Sequence, residues 1–305
     1  MANMIHTDPT KRHDFVLLFD VTNGNPNGDP DAGNLPRLDP ETMCGLVTDV
    51  CLKRKVRNYV DMSRGDQGRF KIYIQNREAL NSLHQRAYEG LGLKSTGTKQ
   101  KKEDIDRVKG WMCQNFFDIR TFGAVMTTGV NCGQVQGPAQ LTFAKSLDPI
   151  VPLDISITRI AITKPEDMKF VEAESEGEKD KGGKVTEMGR KAIVPYGLYQ
   201  GFGFFNPLFA EKTGFSAEDL QIFWEALQKM FDLDRSASRG FMALRGLFVF
   251  SHENKLGNAP AHVLLDRIQT RKKDGIETPR SFEDYQVVVN EKDLPQGITL
   301  TRLAG

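Results

Sequence analysis

The chain reads as an α+β fold, one sheet domain carrying insertions, on three observations. Strand-like segments recur well apart, with period-two alternation at 15–22 and 155–162 and late strands at 247–251 and 285–289. Helical stripes interleave with those segments, the cleanest in the stretch after Ser216. Neither a regular βαβ glycine signature nor a repeat of 20 to 50 residues is visible.

In chain order, Phe15, Leu17, Phe19 and Val21 alternate with Val16, Leu18, Asp20 and Thr22, which predicts a strand with one face in the core. A Gly/Asn/Pro loop, TNGNPNGDPDAGNLPRL, follows from Thr22 to Leu38. Asp39 is placed to cap a helix over 39–60, with Pro40 in its first turn and a stripe of Met43, Leu46, Val47, Val50 and Cys51. That helix ends in Lys53, Arg54, Lys55 and Arg57, of which Lys53 and Arg57 leave on a shared flank. A short strand at 71–75 precedes a helix striped by Leu80, Leu83, His84, Ala87 and Leu91, so His84 reads as a core histidine. Ile105, Val108, Met112 and Phe116 mark another helix, and 119–145 is glycine-rich and β-prone. After the alternation at 155–162, an acidic stretch from Glu166 to Asp180 ends in Lys181-Gly182-Gly183-Lys184 and reads as an exposed excursion. Tyr196, Tyr199, Phe202, Phe204 and Phe205, interleaved with Gly197, Gly201 and Gly203, make a strand that a backbone or a base approaches closely, or a packed edge strand. Ser216 caps a helix carrying Leu220, Phe223, Trp224, Leu227, Met230 and Phe231.

Composition excludes several classes. With 305 residues at 39% apolar composition, the chain buries one large core or two smaller ones. No run of about 18 apolar residues and no leader-like n-region precedes the fold, so a cytoplasmic protein with no membrane contact is expected. Cys44, Cys51, Cys113 and Cys132 form no C-x-x-C pair and no zinc spacing with the histidines. Net charge is only +1, but it is segregated: residues 1–50 carry three basic and eight acidic side chains, residues 51–109 fifteen basic and seven acidic. Such polarity suits a polyanion, or self-assembly, or differing solvated faces.

Candidate chemistries are few. A strand that delivers a long Gly/Asn/Pro loop onto a basic helix offers N–H groups and cations to a phosphate chain, which puts RNA first among ligands. Asn23, Asn25, Asn27 and Gly28 imitate part of a calcium loop, without the acid at its first position or the glutamate at its last. Asp20, Asp29, Asp31 and Asp39 could hold a hydrated Mg²⁺, the arrangement of a nuclease, and they are equally the acids of a turn-rich surface loop. Arg235, Ser236, Ser238 and Arg239 in DRSASRG suit phosphates or a subunit contact, or a plain loop surface. No nucleophile elbow, Cys/His pair or Walker loop occurs, and no catalytic residue, resident metal or cofactor is expected.

Four blocks carry a resemblance: FDVTNGNPNGDPDAGNLPRLD with LKRKVR; DIRTFGAVM with GVNCGQVQGPAQLTFAKSLDPI; MGRKAIVPYGLYQGFGFFNP; and DRSASRGFMALRGLFVFSHENKLGNAPAH. In this order they resemble the Cas-seven (Csd-two) family, backbone subunits of type I-C CRISPR surveillance (Cascade) complexes. The resemblance implies an RRM-like (ferredoxin-like) palm in a single domain over 1–305, a helical finger insertion at about 62–118 and a β-hairpin thumb at about 155–193, with 133–143 in the palm. It implies copies that polymerise along a CRISPR guide RNA, hold its sugar–phosphate backbone and leave bases free to pair with target DNA, alongside neighbouring copies and the Cas-five, large and small subunits. Guide sequence varies, so contacts fall on phosphates and 2′-hydroxyls. The RNA-binding candidates are Lys53, Arg54, Arg57 and Lys55 on the basic helix; Asn23, Asn25, Asn27 and Arg37 as a groove wall; Arg190 and Lys191; and Arg235 and Arg239. Met188 is the candidate wedge for a kinked guide step, and an ordinary hairpin hydrophobe otherwise. Relatives in type III complexes cut target RNA with a loop acid, so Asp29 or Asp31 carries the alternative, a metal-dependent endoribonuclease.

Overall fold

The computed structural model describes residues 4–76, 78–159, 161 and 187–305, so the acidic stretch at 166–180 and the lysines after it lie outside the described residues. Strand β1 (His13–Gly24) extends the expected run at both ends. It buries both faces, not one: Phe15, Leu17, Phe19 and Val21 enter one core, Val16 and Leu18 another. Apolar residues on both faces suit a strand inside a sheet that is covered on both sides. Two short pieces, β2 (Gly28–Asp29) and β3 (Leu35–Pro36), pair to close the Asn/Gly/Pro loop.

The basic helix starts later than the pattern suggested. Cys44–Val47 form strand β4, and α1 runs from Asp49 to Arg64 behind Thr48, whose side chain accepts from the Cys51 N–H. Asp39 caps no helix here: its carboxylate accepts from the Glu41 N–H, the Thr42 hydroxyl and Lys145, contacts that hold its pKa down at about 2. The buried stripe of α1 is accordingly Leu52, Val56, Tyr59 and Val60, while Met43 and Val50 are exposed. At 71–75 a single bridge from Lys71 to Phe116 replaces the expected strand.

Helices α2 (Leu80–Gly90) and α3 (Lys102–Asn115) form where expected, burying Leu83, His84 and Ala87 and Val108 and Met112 of their stripes while Leu80 is exposed and Leu91 and Phe116 lie past the helix ends, and a short helix α4 (Phe117–Phe122) occupies the start of the β-prone region. With the ribbon of β5 (Gly123–Met126) and β6 (Gly133–Gln136) they enclose a separate core of Leu83, Tyr88, Val108, Met112 and Cys132. His84 is buried in it, its Nε2 2.8 Å from the Tyr73 hydroxyl, a structural histidine as its place in the stripe implied.

The main sheet is completed by β7 (Ala139–Leu141), β8 (Ala144–Pro149), β9 (Leu153–Arg159) and β10 (Glu187–Phe205). Helices α5 (Pro207–Thr213) and α6 (Ala217–Leu233) lead into β11 (Phe241–His252). Helix α7 (Ala261–Leu265), the ribbon of β12 (Ile268–Lys272) and β13 (Tyr285–Val289), and β14 (Ile298–Ala304) close the chain. Across the sheet the order is β14-β11-β1-β10-β8-β4, with β7 and β9 also pairing β10 and every pairing antiparallel. Helices α1 and α6 pack on the face of Phe15 and Phe19, where Phe19 stacks on Tyr199 and Phe231 at 5.4 and 4.9 Å. The opposite face is covered by α7 and the C-terminal strands through Phe248, Phe250, Leu264 and Ile298.

The glycine-rich strand β10 is interior, paired to β1 on one side and to β7 and β8 on the other, which overturns the edge-strand reading. A Cβ at Gly203 would sit 2.0 Å from Phe15 Cζ, so this glycine makes room for a core ring and not for a base. Phe202 and Phe204 pack with the C-terminal core. Ser216 caps its helix as expected, and does so in a capping box with Asp219. Asp219 does more: fully buried, it also accepts from Arg120 at 2.6 Å and Arg69 at 2.9 Å, which ties the α4 region to the main sheet.

Candidate nucleic-acid interface

Two loops distant in sequence make the site. The Asn25 N–H donates to Ser238 O at 2.8 Å, Arg239 Nη1 donates to Pro26 O at 3.1 Å, and Asn25 Nδ2 donates to Asn34 O at 2.8 Å. Glycine permits this approach from both sides. A Cβ at Gly24 would lie 1.9 Å from Arg239 O, and one at Gly240, which has φ +61°, would lie 2.4 Å from Asn23 O. Asn27 Oδ1 accepts from the N–H and hydroxyl of Thr48, which fastens the same loop to the start of α1.

The result is a groove of about 620 Å³ lined by Asn25, Asn27, Arg37, Arg54, Phe143 and Arg239 among others. A second groove of about 300 Å³ shares Asn25 and continues to Arg190 and Lys191 at the base of the β9–β10 ribbon. The side chains in these walls are held in place before any ligand arrives: Arg54 Nη1 donates to Ile74 O at 2.9 Å, and Arg37 pairs with Asp29 at 3.3 Å. Asn25 Oδ1 and Arg37 Nε lie buried in the walls with no hydrogen-bond partner among the described residues.

Not every expected cation reaches the grooves. Lys55 is fully buried, 2.6 Å from Asp234, and burial with the neighbouring Arg239 charge pushes its ammonium below the usual lysine range against the pull of Asp234. Arg57 places Nε 2.8 Å from the buried Asp118 and its guanidinium over the Phe122 ring at 5.3 Å. Neither has surface to offer a phosphate chain, because a helix that packs on a sheet turns successive residues inward as well as outward. Lys53 is also largely covered, bonding Asp49 and Gln140 at 3.0 and 3.2 Å. Arg235 pairs with Asp232 and lies over Phe241, and Asn23, at φ +50°, is the last residue but one of β1; neither lines the two grooves.

On the ribbon, Met188 and Arg190 stand opposite Thr158 and Ser156 and share a face, while Ile155 and Ile157 belong to the other. Met188 is 69% exposed. Asp29 is engaged by Arg37 and by the Asp31 N–H. Among the described residues no group of three or more His, Cys, Asp or Glu could hold a metal ion. The sequence reading missed Phe143, because the run Leu141, Thr142, Phe143, Ala144 alternates in a way that would equally bury it.

A family model described as CRISPR-associated protein Cas7 matches residues 11–290. The chain belongs to the CRISPR-associated Cas7 family. It is 25% identical over 302 residues to a CRISPR-associated protein Cas7 of Haloferax volcanii, a match covering 92% of this chain and 81% of that one. Similar solved chains include one from a CRISPR RNA-guided surveillance complex, pre-nicking, with TM-score 0.49 and 15% identity over 78% of each chain. Another, from a CRISPR RNA-guided surveillance complex, has TM-score 0.44 and 14% identity over 78% of this chain and 68% of that one. The family match spans the residues of both grooves, from before β1 to the end of β13. Among the described residues, no helix of this Cas7 chain is long and apolar enough to cross a membrane.

Proposed function

We propose that this Cas7 chain is the guide-binding backbone subunit of a type I-C Cascade complex, polymerising along a CRISPR RNA and leaving its bases free to pair with target DNA. The observation that carries this reading is the joined groove, in which Arg37, Arg54, Arg239, Arg190 and Lys191 gather from four separate stretches of chain around polar backbone. Cations dispersed along a groove, with asparagines and without a base-reading helix, suit a sugar–phosphate chain of any sequence. The order β11-β1-β10-β8 with α1 and α6 on one face supports the RRM-like palm of the proposal. We assign the separate core around α2 and α3 to the finger and the β9–β10 ribbon, with exposed Met188 as the wedge, to the thumb. The loop acids take a structural part, Asp29 as the partner of Arg37, and the subunit binds without cutting. Neighbouring copies and the Cas-five, large and small subunits complete the particle, in the cytoplasm.

The test is charge reversal at two cations that line the grooves. Arg54→Glu with Arg190→Glu should lower guide affinity equally for unrelated sequences and flatten its dependence on salt. Wild-type protein purified with an absorbance ratio typical of bare protein, and unable to bind added guide RNA, would refute the proposal.

A further inference from the structure

An exposed aromatic side chain inside a cationic groove needs a reason. Phe143 is 54% exposed, and Val50, in the first turn of α1, is 65% exposed in the same groove. The apolar residues that flank Phe143 are covered: Leu141 is 8% exposed and Ala144 is fully buried. The exposure is not slack in the chain. The Thr142 N–H donates to Phe202 O at 2.9 Å, the Phe202 N–H donates to Thr142 Oγ1 at 3.0 Å, and the Thr142 hydroxyl donates to Phe143 O at 2.9 Å. The backbone under Phe143 is therefore pinned to the interior strand β10 on both sides of a two-residue connection.

From this we infer that Phe143 is a stacking platform for one nucleobase of the bound strand in each copy. Its occupant must present a flat apolar face to Phe143 and Val50 and a negative charge to the groove's arginines, and a single-stranded nucleotide has that division of chemistry. Stacking on an aromatic face needs no particular base, so the platform is compatible with a guide whose sequence varies. It differs from a wedge: Phe143 lines the groove from a connection between two strands of the main sheet, and not from the ribbon that carries Met188. The inference rests on the guide-binding reading and adds to it a specific contact.

The experiment uses full-length protein and single-stranded oligoribonucleotides that carry 2-aminopurine at successive positions. Wild-type protein should quench the probe at one position per bound copy. Phe143→Ala should abolish that quench and weaken binding about tenfold or more, while Phe143→Tyr should keep both, since the rings stack alike. Because the side chain is exposed, the circular dichroism and melting of all three proteins should agree. RNA binding by wild type with a quench unchanged in Phe143→Ala would overturn the platform alone, and no RNA binding by wild type would overturn the guide-binding reading first. A Phe143→Ala protein that keeps the quench but sediments differently without RNA would also overturn it, as a protein-contact surface.

Discussion

Arg57 separates a structural cation from a ligand-binding one, and its replacement makes the sharpest test. Arg57→Ala removes a guanidinium whose Nε lies 2.8 Å from an Asp118 carboxylate that is itself 1% exposed. Removing one partner of a buried ion pair costs about 3–5 kcal/mol, because the other charge stays behind unpaired. Here Asp118 retains the Tyr73 and Ile74 N–H groups at 2.8 and 3.1 Å, which compensates part of the loss and places the expected destabilisation at about 3 kcal/mol. Against a total stability of about 5–15 kcal/mol for an ordinary domain, that is a large fraction. Urea unfolding followed by tryptophan fluorescence reports it well, since Trp224 sits in the main core and Trp111 packs against the second core. Arg54→Ala, which gives up one bond to Ile74 O, should cost about 1 kcal/mol in the same assay yet weaken RNA binding more. The reasoning is refuted if Arg57→Ala unfolds within about 0.5 kcal/mol of the parent while its RNA affinity falls.

Three further predictions follow from the same geometry. His13 is buried between Ser251 and the Asp8 carbonyl, and burial lowers its pKa to about 4, so the unfolded chain binds the extra proton first on acidification; stability should fall by about 2 kcal/mol between pH 7.5 and pH 5, and His13→Gln should lessen that slope in urea titrations at the two pH values. Gly24→Ala drives a Cβ into Arg239 O and must part the two loops, so guide affinity in a filter-binding assay should drop together with about 1–3 kcal/mol of stability; unchanged affinity would show that the loops do not form the groove. Purified assembly incubated with complementary RNA and Mg²⁺ should leave the RNA intact on a denaturing gel, whereas regular cuts that vanish in Asp29→Ala would establish the endoribonuclease alternative.

Periodicity and cap chemistry were enough for β1, the helices α2, α3 and α6, Ser216 as a cap and the core role of His84, because each depends on contacts within a few residues or on one amphipathic face. The family was legible too, since its four blocks keep their order along the chain. Local signals failed where a nearby competitor was stronger. Asp39 has the look of a cap, but strand β4 pairs with β8 across a hundred residues of sequence and moves the helix start to Thr48. The second face of β1 could not be read from alternation, because it is the C-terminal strands, distant in sequence, that bury it. The four cations of LKRKVR look equivalent as a string, yet only the fold supplies Asp234 for Lys55 and Asp118 for Arg57, and so removes both from the surface. Residue type and spacing determined the long amphipathic elements and which family the chain joins; which charges face a ligand was decided by tertiary structure alone, because a side chain's partners are set by long-range packing and not by its neighbours in sequence.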